Sequence, residues 1–250
     1  MDTSKETDWF ENWFDSKYYH ILYGNRDNAE AERFMDKLIA CLKPKPMCFM
    51  HDLCCGKGRH AVYLSHKGFR VTGSDLSCES IKYALQFENE SLSFFVNDMR
   101  QVMRVNYFDY VFNLFTSFGY FAHPDDHNKV IAAVHTSLKP GGIFVLDYLN
   151  SEKSKKLMQA EGCIKAGGIE FHIKKRFEDK HFIKEIHFTD EGTGYRFREK
   201  VRAFTKEELE ALFLKNGFEL MHWKGNYELE EYTEASSDRM IAFVRKVSKP

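Results

Sequence analysis

Between residues 47 and 149, five short runs of β-type residues alternate with stretches long enough to form helices. This alternation constrains the fold of the 250-residue chain more than any other feature. The runs are 47–53 (MCFMHDL), 69–75 (FRVTGSD), 94–97 (FFVN), 107–114 (YFDYVFNL) and 143–149 (IFVLDYL). The helix boundaries between them are also legible. Lys67-Gly68 closes the first helix, Ser77 caps the second, and Pro124 sits in the first turn of the third, with Lys139-Pro140-Gly141-Gly142 beyond its end. Strands joined by helices of this length pair in parallel, with helices on both faces of the sheet.

The flanking segments read differently. Residues 3–17 are expected to form an amphipathic helix, with a capping box at Thr3-x-x-Glu6 and Trp9, Phe10, Trp13 and Phe14 on one face. Tyr18, Tyr19, His20 and Tyr23 follow, so the aromatic stripe is expected to act as a lid. A second helix is expected from Asp27 through Phe34, Leu38, Ile39 and Leu42, ended by Pro44 and Pro46. Residues 168–204 read as three antiparallel strands joined at Glu178-Asp179-Lys180 and at 190–194. Thr205-x-x-Glu208 opens another helix that ends at Asn216-Gly217, and two strands follow near 218–227 and 239–247. The expected fold is α/β: a seven-stranded, doubly wound, mostly parallel sheet with an antiparallel last strand. We expect one domain, made of a helical lid (1–43), a cofactor-binding core (44–150), a β insertion (168–204) and a C-terminal part of the core (205–250).

Formal net charge is −1, so no global field favours nucleic acid. No apolar run approaches the roughly 18 residues of a membrane span, and the acidic, aromatic N-terminus is unlike a targeting peptide. The six cysteines form no CxxC pair and show no zinc-type spacing, so no metal is expected. Read as free thiols, they place the expected compartment in a reducing cytoplasm. Cys54–Cys55 reads as a pair of small buried residues in a tight turn.

The chemistry is concentrated in Asp52-Leu-Cys-Cys-Gly56-Lys-Gly58-Arg-His60 and in Asp75. Glycines at a strand-to-helix turn let a ligand approach the backbone and its N–H groups. An acid at the end of the next strand suits the two hydroxyls of a ribose. A dinucleotide fingerprint would place a third glycine where this chain has Ala61. Asp52 would repel a pyrophosphate and attract a ligand carrying an ammonium and a sulfonium. The charge pattern therefore favours S-adenosylmethionine. For Asp75 and Asp98 the competing readings are a helix cap and a turn residue, and for His60 helix packing.

These segments resemble the class I S-adenosylmethionine-dependent methyltransferases, particularly a bacterial small-molecule group. HDLCCGKGRHAVYLSHKGFRVTGSDLS is similar to their first two motifs, and NDM at 97–99 to the adenine-contact motif. FDYVFNLFTSFGYF and KPGGIFVLDYLN resemble the fourth and fifth strands with their loops. TKEELEALFLKNGFEL and SDRMIAFVRK resemble the closing helix and strand pair. One departure is Cys54, which stands where many relatives have the first glycine. The resemblance implies that Asp52 orients the methionine end and that backbone from Cys54 through Gly56 to Gly58 faces the carboxylate and ribose. Asp75 would accept the ribose hydroxyls, with Leu76 against the adenine. Asp98 and Met99 would contact the adenine, and Asn113 and Leu114 would border the sulfonium. As part of the aromatic lid, Tyr19 is expected to lie over the cofactor.

The expected acceptor is a small molecule with an oxygen or nitrogen nucleophile. The chain lacks the Asn/Asp-Pro-Pro-aromatic stretch of exocyclic-amine enzymes and has no cysteine directly after the fourth or fifth strand. Candidate bases are His20, His123, Asp147 and Tyr120, unranked. Alternatives are a non-catalytic S-adenosylmethionine-binding module, an RNA methyltransferase and an NAD-dependent oxidoreductase. Arg196, Arg198, Lys200 and Arg202 alternate with Tyr195, Phe197 and Val201, and this basic face is expected to be solvated.

Overall fold

The alternating segment forms the centre of a seven-stranded sheet, in a computed structural model that describes residues 9–24, 28–158 and 160–247. The Thr3–Glu6 capping box and Asp27 lie outside the described residues. In chain order the elements are α1 (Trp9–Phe14), α2 (Lys17–Tyr23), α3 (Asn28–Leu42), β1 (Phe49–Leu53), α4 (Arg59–His66), β2 (Arg70–Asp75), α5 (Cys78–Ala84), β3 (Leu92–Val96), β4 (Phe108–Asn113), α6 (Pro124–Ser137) and β5 (Leu138–Leu149). They continue with α7 (Ser151–Leu157), β6 (Ala160–Ala166), β7 (Ile169–Glu178), β8 (His181–Asp190), β9 (Thr193–Arg202), α8 (Lys206–Lys215), β10 (Phe218–Lys224) and β11 (Arg239–Lys246).

The main sheet runs β10-β11-β5-β4-β1-β2-β3. β3, β2, β1, β4 and β5 pair in parallel, and β11 is antiparallel to both of its neighbours. Its central strands are apolar on both faces, as a covered parallel sheet requires. Consecutive residues therefore divide between two cores. Val111, Phe144 and Ala242 pack on one face with Val130, Val134 and Phe213. Phe112, Val145 and Phe243 pack on the other with Phe34, Leu38 and Leu64. Asp52 pairs with Gly73 on one side and Phe112 on the other. That register sets the carboxyl ends of β1, β2 and β4 side by side, where open α/β sheets bind ligands.

The helix signals hold. Ser77 caps α5 by accepting from the Ser80 N–H, and Thr205 with Glu208 forms the capping box of α8. The single helix expected over 3–17 is corrected: α1 stops at Phe14, and Ser16 caps a separate α2 by accepting from the Tyr19 N–H.

The insertion has four antiparallel strands in the order β6-β7-β8-β9, rather than the three expected. The additional strand, β6, is an edge strand exposed along nearly its whole length, so it carries no apolar alternation to mark it. Ile169, Phe171, Ile173, Ile186 and Phe188 form one apolar face of this sheet. The lid covers that face through Trp13, Tyr18 and Leu22. The Trp13 indole N–H donates to Glu199 at 2.8 Å, and the Tyr18 hydroxyl donates to Asp190 at 2.9 Å. Trp13 and Tyr18 therefore anchor the lid to the second sheet instead of lying over the cleft. The Trp9 side chain lies outside the described residues.

Candidate active site

The loop after β1 turns through the left-handed region three times in five residues, at Cys54 (φ 67°), Gly56 (54°) and Gly58 (84°). Cys54 holds that conformation where a glycine would be unstrained, a cost of about 1–2 kcal/mol for an L-residue. Backbone pairing offsets it: the N–H groups of Cys54 and Cys55 both donate to the Ser74 carbonyl, at 2.7 and 2.9 Å. Gly58 and Gly73 are small because Phe94 lies against both, and a Cβ at either would sit 2.6 or 2.5 Å from its ring.

Three acids follow from this arrangement. Asp52 is buried, and its Oδ2 accepts no hydrogen bond. The His60 Nδ1 stands 3.9 Å from it, too far for one. Burial, reinforced by the nearby Asp75, pushes the Asp52 carboxyl up to about 7. Asp75 accepts from the Gly56 N–H at 2.8 Å and the Ser77 N–H at 2.9 Å. Burial raises its pKa too, opposed by those backbone donors. Asp75 thus fixes the glycine loop and the residue that caps α5, the cap itself being Ser77, with acceptor capacity left over. The Asp98 carboxylate is held by the Arg100 guanidinium, which also reaches Asp126 at 3.0 Å. A buried carboxylate with one oxygen unpartnered, beside a second acid, calls for a cation and disfavours a pyrophosphate.

These groups open onto a cavity of about 690 Å³. Of the residues expected to hold the cofactor, Tyr19, Asp52, Cys54, Gly56, Asp75, Leu76, Asp98, Met99 and Leu114 line it. Gly58 and Asn113 do not. Gly58 begins α4 against Phe94, and the buried Asn113 amide donates to the Leu53 carbonyl at 3.1 Å, joining the tips of β4 and β1. Phe10, Phe14, Tyr23, Tyr120 and Phe121 complete an aromatic wall, with Phe14 edge-on to both Tyr19 and Tyr120. His20 also lines the cavity, and its buried Nε2 has no hydrogen-bond partner. Burial, with Lys57 nearby, lowers its pKa and keeps the ring neutral. His60 is stacked on Phe115, a packing role, although it also borders the cavity.

Of the other candidate bases, Tyr120 lines the cavity and donates to the Thr116 carbonyl, while His123 sits at the N-cap of α6. Asp147 is fully buried and acts on the loop after β4. It accepts from the Phe115 N–H at 2.7 Å and from Arg239 at 2.7 Å, and Arg239 reaches the Thr116 hydroxyl at 2.8 Å. Phe115 (φ 57°) and Thr116 (φ 62°) are consecutive left-handed residues, so this buried ion pair holds a strained turn at the cavity wall. That contact joins residues 92 positions apart, so no local pattern marks it. Asp15 was missed for the same reason: it accepts from the Ser77 hydroxyl at 2.7 Å and the Glu79 N–H at 3.0 Å, tying the lid to the start of α5.

The family model of the methyltransferase domain matches residues 26–222. "Putative methyltransferase YqeM" of Bacillus subtilis (strain 168) is 30% identical over 205 residues, covering 78% of this chain and 83% of that protein. The glycine/sarcosine N-methyltransferase of Aphanothece halophytica is 32% identical over 147 residues, covering 56% of this chain and about half (52%) of that protein. The crystal structure of an S-adenosylmethionine-dependent methyltransferase from Clostridium acetobutylicum ATCC 824 shares the fold, with a TM-score of 0.75 at 21% identity over 92% of this chain and 96% of that one. With the β3-β2-β1-β4-β5 order of its parallel strands, the chain belongs to the methyltransferase-domain family and is an S-adenosylmethionine-dependent methyltransferase of the class I, Rossmann-like fold.

Proposed function

We propose that the chain methylates a small-molecule amine, with the cofactor along Asp52, the 54–58 loop, Asp75, Leu76 and Met99 and the acceptor under the aromatic wall. The observation that carries this reading is the buried, unpartnered Asp52 oxygen on a cavity that runs on to Phe14, Tyr19, His20 and Tyr120. S-adenosylmethionine supplies a methyl group already activated by its sulfonium. Asp52 would accept from the ammonium of its methionine end, and Asp75 from the ribose hydroxyls. The Asp98 carboxylate, already paired with Arg100, would have one further lone pair for the adenine amino group.

The residues around the acceptor position it and exclude water, the main source of rate in a displacement of this kind. His20 is neutral and has an unoccupied ring nitrogen, so it can hold a proton released by an ammonium acceptor. Support for an amine comes from the N-methylating relative, and a cationic acceptor suits an aromatic wall. An RNA acceptor is less well supported. The exposed Arg198 lies in a row with Glu161, Lys174 and Glu185, so the outer face of the second sheet is a mixed one, without a continuous basic stripe.

A screen with methyl-labelled cofactor against amines, alcohols and RNA tests the proposal. Label should enter amines, and His20→Gln should reduce the best turnover by about a hundredfold or more with cofactor affinity retained. Label entering only RNA or alcohols, or full turnover by His20→Gln, would contradict it.

A further inference from the structure

The outer face of the second sheet, remote from the cavity, gathers a different set of donors. β6 pairs with β7 so that Cys163 lies directly opposite His172. The Cys163 Sγ and His172 Nδ1 are 3.1 Å apart. Glu170, two residues before His172 and so on the same face of β7, brings a carboxylate into the group. One donor atom from each of the three lies within 4.8 Å of the others. On a tetrahedral zinc ion, sulfur and nitrogen donors stand about 3.5 Å apart, as Zn–S and Zn–N lengths near 2.3 and 2.0 Å require. Small side-chain rotations would bring these atoms to that spacing. The Lys165 ammonium stands 3.6 Å from Glu170; a metal would displace this exposed ion pair, which contributes little to stability.

We propose that Cys163, His172 and Glu170 form a site for a borderline-soft divalent transition metal, zinc by preference. The donor set decides the class. A thiolate with an imidazole is poorly suited to magnesium or calcium, which take oxygen ligands, and well suited to zinc. Three protein ligands leave a fourth position for water or an incoming group. No zinc-type spacing is visible along the chain because the donors come from facing strands rather than from a short loop. The mechanical consequence is a clip: the metal ties the exposed edge strand β6 to β7, and binding to the folded state alone raises stability. Cys163, His172 and Glu170 are all exposed, so metal can reach them without opening the fold.

Cobalt(II), added to the metal-free full-length protein, is the direct probe, because cobalt bound to a thiolate shows a charge-transfer band in the near ultraviolet. The expected result is one cobalt per chain with that band, loss of the band in Cys163→Ser, and weakened binding in His172→Ala and Glu170→Gln. Zinc should displace the cobalt and raise the melting temperature of wild type but not of Cys163→Ser. Cys41 and Cys78 remain exposed in that variant, so they serve as internal controls. Far-ultraviolet circular dichroism of each variant establishes that the sheet is intact, and His172→Ala provides the test if Cys163→Ser does not fold. Cobalt binding without the band, a band that survives Cys163→Ser, a band unchanged by His172→Ala, or no binding would each overturn the proposal.

Discussion

At the residue scale, Asp52 links the sequence to the chemistry most directly. Its position before the glycine loop and its charge were legible, and from them the preference for a cationic ligand. Its burial and its unpartnered oxygen were not, since both depend on the register of β1 between β2 and β4. The structure raises its pKa to about 7, with burial as the main cause. A bound cation favours the ionised form, so cofactor binding should release a proton whenever Asp52 is protonated in the free protein. Affinity should therefore be constant above pH ~7 and fall by up to about tenfold per unit below it. Calorimetric titrations between pH 5.5 and 8.5, an experimental span of about three units around that value, would show the break. An affinity independent of pH across this window would remove Asp52 from contact with the cationic end. The roles of Asp75 and Asp98 were only partly legible, because Gly56, Ser77 and Arg100 already engage carboxylates that the sequence left open to a ligand.

At the scale of elements, the parallel strands and the caps at Ser77 and Thr205 were legible, because strand alternation and helix ends are local signals. β6 was not, because an edge strand with solvent on both sides needs no apolar pattern. The turn after β4 was equally hidden, since its shape is imposed by β5 and β11 through Asp147 and Arg239. Removing one partner leaves a buried charge without compensation. Arg239→Ala should therefore cost about 3–5 kcal/mol of stability, measured by chemical denaturation. It should also weaken cofactor binding by releasing Phe115 and Thr116. A loss below about 1 kcal/mol, the scale of an exposed pair, would show that the network does not hold the turn.

At the scale of the whole molecule, the lid joins two sheets, and its aromatic residues divide by task. Trp13 and Tyr18 are buried in the apolar face of the second sheet, while Phe14 and Tyr19, at the margin of that cluster, also line the cavity. The sequence showed an aromatic cluster but not this division, which depends on the break between α1 and α2 at Asp15 and Ser16. Trp13→Ala should cost about 3–5 kcal/mol of stability, the range for removing a buried aromatic side chain. Tyr19→Ala, which removes a half-buried ring, should cost less stability than Trp13→Ala and should weaken cofactor binding. Denaturation curves and binding isotherms on the same two variants would separate the effects, and equal effects on both measurements would reject the division. The proposed chemistry requires one cavity to hold S-adenosylmethionine between Asp52 and Asp75. Its most direct test is calorimetric titration of wild type, Asp52→Asn and Asp75→Ala with S-adenosylmethionine and, separately, with NAD. Wild type should bind one S-adenosylmethionine per chain and no NAD, and each variant should remain folded but bind about 1.5–3 kcal/mol more weakly. Wild-type affinity in both folded variants, or NAD binding in place of S-adenosylmethionine, would contradict it.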